Sequence, residues 1–458
     1  MSLRMPIGQH VSETLRLAGP ITMGHFSNLA VTTATLLMFG WTSADTLAAG
    51  GLAMRIGVST NILAAILVIS GLMMSEVQGA GQGHLVSRWY TNGLVLSAVL
   101  SALSFAWMTV APSVLAALGQ EPAIVADAEA ILNIMRWAEP ANMIRLGLMR
   151  TALPALGLAS ILFALTPLSL IAYIGLGLAL AGMPQIGWHG IPMAFVVISW
   201  AVALVMLAIV HLGPRRGLVR FDIGGVMEML RLVWRGLPIG TLQAIDGVYY
   251  LALTLLIGRF GAATLAAHQL VLNFGTIAWA LASAFGDAGA LRISYSRGAS
   301  ALGDIWRAGF VAAALGILSM TIAAIVVAAN PTVFIGFFID AANPANYDAV
   351  AVALALTPWT AGFIFADGFY GVGMGVLRGI DDNRFAMLAT VTLYGFVGLP
   401  LAYGFAFLMG FGGEGIWMGI VCGVLLVGNA LVGRFWWQSR RATGVPVRAV
   451  SVPRGDPA

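Results

Sequence analysis

The chain has 458 residues, of which 59% are hydrophobic and 9% charged. A soluble domain carries roughly 25% charged residues, so this composition excludes a water-facing globule and makes lipid the solvent. The formal charge is +4 and every basic residue is arginine; these arginines sit between apolar runs rather than along one face, which excludes a nucleic-acid partner.

A membrane-spanning helix needs about 20 mostly apolar residues. Apolar runs between polar breaks predict twelve spans, over 15–40, 51–75, 92–117, 130–152, 156–181, 188–212, 237–258, 264–290, 308–330, 348–374, 386–410 and 412–436. The first run is span-length and lacks a short h-region with an A-x-A site, so it reads as the first helix of the mature protein. The fourth is interrupted by Arg136, Glu139, Arg145 and Arg150. Arg136 and Glu139 are three residues apart, hence on one helix face, and are expected to pair. The lone cysteine, Cys422, cannot form an intramolecular disulfide. The longest basic loop, about 213–235, divides the chain into expected lobes of residues 1–222 and 223–458.

Loop charge predicts orientation. One set of loops holds Arg4 and Arg16, Arg88, Arg150, then Arg215, Arg216, Arg220, Arg231 and Arg235, then Arg292, Arg297, Arg307, Arg378 and Arg384, and at the tail Arg440, Arg441, Arg448 and Arg454. The alternate loops hold acids instead, Asp45, Glu121, Asp340 and Glu414, with Arg259 and Arg55 as exceptions. The positive-inside rule therefore places both termini in the cytoplasm, and a plasma (inner) membrane location with lipid as the surrounding partner is expected.

The two halves repeat at an offset of 218 residues. Pro20-Ile21 matches Pro238-Ile239, Gly40 matches Gly258, Thr46-Leu47-Ala48-Ala49 matches Thr264-Leu265-Ala266-Ala267, Gly57 matches Gly275 and Pro140 matches Pro358. Six spans per half give both copies the same orientation, a parallel repeat about an axis along the membrane normal. The fold class expected is an all-α integral membrane protein of twelve helices in two pseudo-symmetric six-helix bundles, with a central cleft and alternating access by rocking.

Three carboxylates lie inside apolar runs of the second half: Asp246, Asp287 and Asp367. An aspartate near a helix centre costs roughly 2.5–3.5 kcal/mol on insertion scales, so each must face a wet cavity, pair, or take up a proton. At the repeat offset Asp246 corresponds to Asn28 and Asp287 to Ile69; the first half builds a similar bundle without acids there. Asp287 has Arg292 five residues on and is read either as functional or as its ion-pair partner. His25 and Asn28 in the first span, and Tyr249, Tyr250, Trp279, Trp359, Phe363 and Tyr370 in the second half, are candidate substrate contacts, the aromatics through cation–π contact with an organic cation; packing is the alternative for each. Gly368, Gly371, Gly373 and Gly375 crowd behind Asp367. They are read either as a bend or local unwinding beside a cation site, or as close helix packing.

The stretch Gly236-Leu237-Pro238-Ile239, Asp246, Gly261 and Leu265-Ala266-Ala267-His268-Gln269, with Asp367 and Gly375-Val376-Leu377-Arg378-Gly379, resembles the seventh, eighth and tenth helices of the multidrug and toxic compound extrusion (MATE) transporters. Pro20, Gly40 and Leu47-Ala48-Ala49 resemble the family's first-helix region. The resemblance implies antiport of small, cationic organic compounds against Na+ or H+, with no organic cofactor, a monomer, and a carboxylate site at Asp246 and Asp367 where Na+ can bind. Asp246 stands where the multidrug branch usually has glutamate. The family's first-helix acid is replaced here by Thr35. A lipid-linked oligosaccharide flippase of the same superfamily is the alternative; it would need a cationic cleft, whereas the embedded charges here are mainly acidic. No H-E-x-x-H or other nucleophile–base motif points to an enzyme.

The expected topology is tested by single cysteines introduced at Ala458 and Asn343 after Cys422 is removed. An impermeant maleimide applied outside intact cells should label the second and not the first; the reverse pattern inverts the topology.

Overall fold

The computed structural model describes residues 5–117, 122–213, 219–338 and 346–442. Arg4, Arg215, Arg216, Glu121, Asp340, Arg448 and Arg454, and the side chains of Asn28, Asp45 and Arg441, lie outside what is described.

All regular structure among the described residues is helical. That follows from the solvent: with no water to satisfy backbone N–H and C=O groups, each segment must bond internally. The first half makes six passes. They are α1 (Ile7–Gly40), then α2 (Ala44–Ser59) with α3 (Asn61–Gly79), then α4 (His84–Ala117). The fourth pass is composite: α5 (Pro122–Met135), a 3-10 turn at Arg136–Ala138, α6 (Glu139–Asn142), a π-helical stretch at Met143–Met149, and α7 (Arg150–Ala155). The fifth and sixth are α8 (Ala159–Ala181) and α9 (Gly190–Leu212). The second half repeats the scheme with α10 (Val226–Ile257), α11 (Ala262–Gly298), α12 (Leu302–Ala329), the short α13 (Pro331–Gly336) and α14 (Tyr347–Gly379). Its eleventh pass is again composite, α15 (Asn383–Leu393) and α16 (Leu399–Tyr403), each followed by a π-helical segment, and α17 (Gly412–Ala442) is the twelfth.

All twelve expected spans are therefore present as helical passes. Among the described residues ten are long and apolar enough on their own to cross a membrane. The other two are α1 and the fourth pass, the latter interrupted by the charges that were legible in the sequence. The repeat is visible in the elements: α4 and α12 begin at His84 and Leu302, 218 residues apart, and α1 and α10 carry Pro20 and Pro238 inside the helix.

The glycines behind Asp367 do not unwind their helix: α14 is continuous from Tyr347 to Gly379. They let neighbours in. A Cβ on Gly371 would collide with Ala282, one on Gly375 with the backbone of Gly286, and one on Gly373 with Leu431. So α11, α14 and α17 approach almost backbone to backbone, the small-residue packing that lipid-solvated helices use in place of a hydrophobic driving force. The same device joins the two halves. At the end of the molecule that bears both termini, Gly79 of α3 lies against the Tyr295 carbonyl of α11, and Gly298 of α11 against the Glu76 carbonyl of α3. Toward mid-membrane, Gly236 and Gly240 of α10 lie against Ile66 and Ile62 of α3.

Gly375→Ala should lower the thermal midpoint of the purified protein, although alanine is the better helix former by about 1 kcal/mol. Overpacking of this kind costs about 1–3 kcal/mol. Gly433→Ala on α17, where a Cβ meets open space, should leave the midpoint unchanged or raised. Equal effects at the two sites would refute the packing account.

Candidate functional site

Asp246 lies on α10 and is half-buried; Asp367 lies on α14 and is only 3% exposed. They act on one another electrostatically. Tyr370, one turn beyond Asp367 on the same helix face, donates its hydroxyl to Asp246 Oδ1 at 2.7 Å. Tyr250, one turn beyond Asp246, lies in the field of both carboxylates. Tyr249 stacks on Tyr394 at 4.0 Å between ring centroids, and Tyr394 in turn lies 5.9 Å from Tyr370. The two acids are thus set in a wall of four tyrosines from α10, α14 and the eleventh pass. Among the described residues neither acid has an arginine or histidine within ion-pair distance. Tyr394 was not singled out in the sequence; it opens the π-helical segment Tyr394–Gly398, which no composition signal marks.

The remaining aromatic candidates separate from this group to different degrees. Phe363 is buried, 6.1 Å from Tyr250 and 5.9 Å from Trp417, and holds the tyrosine wall from behind. Trp279 stands edge-on to His25 at 5.6 Å. Trp359 donates toward Glu414 at 3.4 Å, at the far end of α14.

Asp287 belongs to a different arrangement. Its Oδ1 accepts from Arg378 Nη1 at 2.6 Å, while Oδ2 lies 3.7 Å from Arg150 Nη2 and 3.4 Å from His25 Nε2. Arg378 is in the same half as Asp287; Arg150 and His25 are in the other. The expected partner Arg292 does not take part. Five residues carry a side chain about 140° round a helix, and Arg292 faces α1, donating to the His10 carbonyl at 2.7 Å and to Thr14 Oγ1 at 2.5 Å. A second carboxylate crosses the same boundary: Glu76 of α3 accepts from Arg297 Nη2 at 2.5 Å and lies 3.9 Å from Arg235 Nη1. Arg235 also meets Asp381 Oδ2 at 3.0 Å, in the loop after α14. There burial pushes the Asp381 carboxyl above its ordinary value, and Arg235 pulls it back. The halves are therefore clasped at the terminus-bearing end by two shared carboxylates and the glycine crossings.

The expected Arg136–Glu139 pair does not form either. The 3-10 turn at Arg136–Ala138 redirects the two side chains. Arg136 turns outward to Thr109 Oγ1, 3.2 Å away, and over the Phe105 ring, whereas Glu139 turns inward to Ser104.

The chain is 31% identical over 452 residues to the Burkholderia pseudomallei (strain K96243) protein called "Probable multidrug resistance protein NorM", covering 97% of this chain and 95% of that one. This chain belongs to the MATE family. The family's sequence profile, described as MatE, matches residues 238–404, the stretch that contains Asp246, Asp287 and Asp367. "Multidrug resistance protein NorM" of Burkholderia vietnamiensis is 30% identical, covering 96% of each chain. Among solved structures, "Outward-facing conformation of a multidrug resistance MATE family transporter of the MOP superfamily" superposes with a TM-score of 0.87 at 16% identity, over 95% of this chain and 97% of that one. "Crystal structure of eukaryotic MATE transporter AtDTX14" superposes at 0.82 and 16% identity, over 95% and 98%. As a MATE protein the chain is a multi-pass membrane transporter, not an enzyme.

Asp287→Asn would leave two partly buried guanidinium groups sharing a neutral partner. Removing one member of a buried pair costs about 3–5 kcal/mol. Spin labels at Gln82 and Ser300, on opposite halves of the clasped end, should then report a longer and broader distance distribution. An unchanged distribution would show that Asp287 does not hold the halves together.

Proposed function

We propose that this MATE transporter is a secondary exporter of small, cationic organic compounds, driven by exchange for Na+ or H+, and that Asp246 and Asp367 form one site used in turn by the coupling cation and the substrate. One observation carries the reading. Of the three aspartates inside apolar runs, Asp287 has arginines within ion-pair distance, whereas among the described residues Asp246 and Asp367 have none, and Asp246 takes the Tyr370 hydroxyl instead. Two neighbouring carboxylates disfavour double ionisation, so the pair favours taking up a cation. The tyrosine faces offer an organic cation the quadrupole attraction of aromatic rings. The names of the Burkholderia relatives, both called multidrug resistance proteins, support an exported drug-like substrate.

The second support is the clasp. It ties the halves together at one end of the molecule, which the positive-inside pattern would make the cytoplasmic one. On this reading the structure is the outward-facing member of an alternating-access pair, with the acids in the second half and the moving boundary between the halves. Release of the clasp and closure of the opposite end would turn the site to the cytoplasm. Export rather than uptake follows if the coupling cation enters from outside and displaces the substrate there.

The test is competition. With ethidium as the cationic probe, equilibrium binding to the purified protein should weaken as sodium or proton concentration rises, and Asp246→Asn should abolish that dependence. Asp367→Asn should abolish gradient-driven export in proteoliposomes while the protein stays folded and inserted. Export by Asp367→Asn at the wild-type rate, or binding that ignores both ions, would sink the shared-site reading.

A further inference from the structure

Glu139 is 1% exposed and sits halfway along the fourth pass. Its partners are neutral. Ser104 of α4 donates to Oε2, Asn142 Nδ2 donates to Oε1 at 3.3 Å, and the Thr60 hydroxyl faces the same carboxyl. Among the described residues no arginine lies within ion-pair distance of it; the nearby Arg145 is held off by one residue, donating instead to Asn142 Oδ1 at 3.1 Å. The Thr60 hydroxyl already donates to the Gly57 carbonyl at 2.7 Å.

The backbone is irregular where this group sits. The second pass breaks between α2 and α3 at Thr60, and the fourth runs through a 3-10 turn and a π-helical stretch on either side of Glu139 and Asn142. Single π-helical turns inside α-helices gather at functional sites, and interrupted helices near mid-membrane are where transporters place ion sites. A cavity of about 40 Å³ adjoins the carboxyl, bounded among others by Thr32, Thr60, Asn61, Asn142 and Arg145. That is room for a water, which needs about 10–15 Å³. Thr35, set by the resemblance at the family's first-helix acid, lies elsewhere and hydrogen-bonds Tyr173 at 2.7 Å.

We propose that Glu139 is a proton-exchange site of the first half, loaded and emptied through this cavity during the transport cycle. The carboxylate takes its proton from a hydronium ion in the cavity, leaving water, and returns it to water on the opposite stroke. A buried carboxylate without a counter-charge is far costlier than a neutral acid in the same place, and the deformed helices supply the movable hydrogen-bond partners that let the two forms alternate. The cation bound is a proton rather than sodium, because the Arg145 guanidinium one residue beyond Asn142 opposes a fixed metal charge and Asn142 Oδ1 is already engaged by it. The inference rests on the exporter reading for its role in the cycle, but not for the protonation itself.

Infrared difference spectroscopy of the wild-type protein in lipid, with carbon-13 glutamate and ordinary aspartate, separates Glu139 from Asp246 and Asp367. A carboxylic-acid C=O band should appear on acidification, shift with the glutamate label, and be absent in Glu139→Gln. No label-sensitive band, or one that does not change from acidic to alkaline pH, overturns the proposal. A band that falls on addition of sodium at constant pH assigns a metal cation and overturns it too. In proteoliposomes, Glu139→Gln should slow ethidium efflux driven by an imposed proton gradient about ten-fold, while ethidium counterflow persists. Wild-type efflux in Glu139→Gln makes the residue merely structural. Absence of counterflow in the wild type would instead count against the exporter reading and leave the spectroscopic result standing.

Discussion

A charge inside lipid-solvated protein has to be answered within a few ångströms, and the way each acid is answered organises this molecule. Asp287 is answered by arginines from both halves, and Glu76 of the first half by two arginines of the second, so they bind the halves to one another. Asp382 is answered within its own half by Arg434 at 2.9 Å and Gln438 at 2.6 Å, and fastens the loop after α14 to α17. Asp246 and Glu139 are answered by hydroxyls and an amide, and Asp367, like them, has no arginine within ion-pair distance among the described residues. Neutral donors soften the cost of an embedded acid without cancelling its charge. The acids thus fall into those that fix the structure and those left without a fixed counter-charge.

The close packing serves the same end. Glycines on α11 and α14 bring two backbones together around Asp287 and Arg378, so the ion pair forms between short, stiff stretches rather than long, wandering ones. The non-α segments lie in the fourth and eleventh passes, beside Glu139 and at Tyr394.

Much of this was legible in the sequence. Span count follows from composition alone, and the repeat from ungapped Pro and Gly matches that the elements reproduce. Asp246 and Asp367 stood out because an acid in a long apolar run is rare. What could not be read was which acid is paired. Arg292 and Arg136 were the nearest basic residues along the chain to Asp287 and Glu139, and both choices failed, for helical rotation in one case and a local 3-10 turn in the other. The true partners of Asp287 lie 91 residues on, at Arg378, and in the other half, at Arg150 and His25. Nothing local encodes such pairings; they exist only once α1, α7, α11 and α14 have packed. Glycines posed the same problem, since a helix-weakening residue and a helix-packing residue are the same residue until the neighbour is known.

The clasp at Asp287 is lopsided. Were the halves to part on the proposed cycle, Asp287 would leave with Arg378 as a neutral pair, and Arg150 would stay behind with His25 and, among the described residues, no acid. One half would then carry an unbalanced positive charge near the boundary and the other would not. A transmembrane voltage pulls on a net charge by about 2.3 kcal/mol per 100 mV of full traverse, so it exerts force on the first half while leaving the second nearly untouched at this point. The electrical load of the opening stroke would therefore be borne by one bundle, and the other would act as the stator against which it turns.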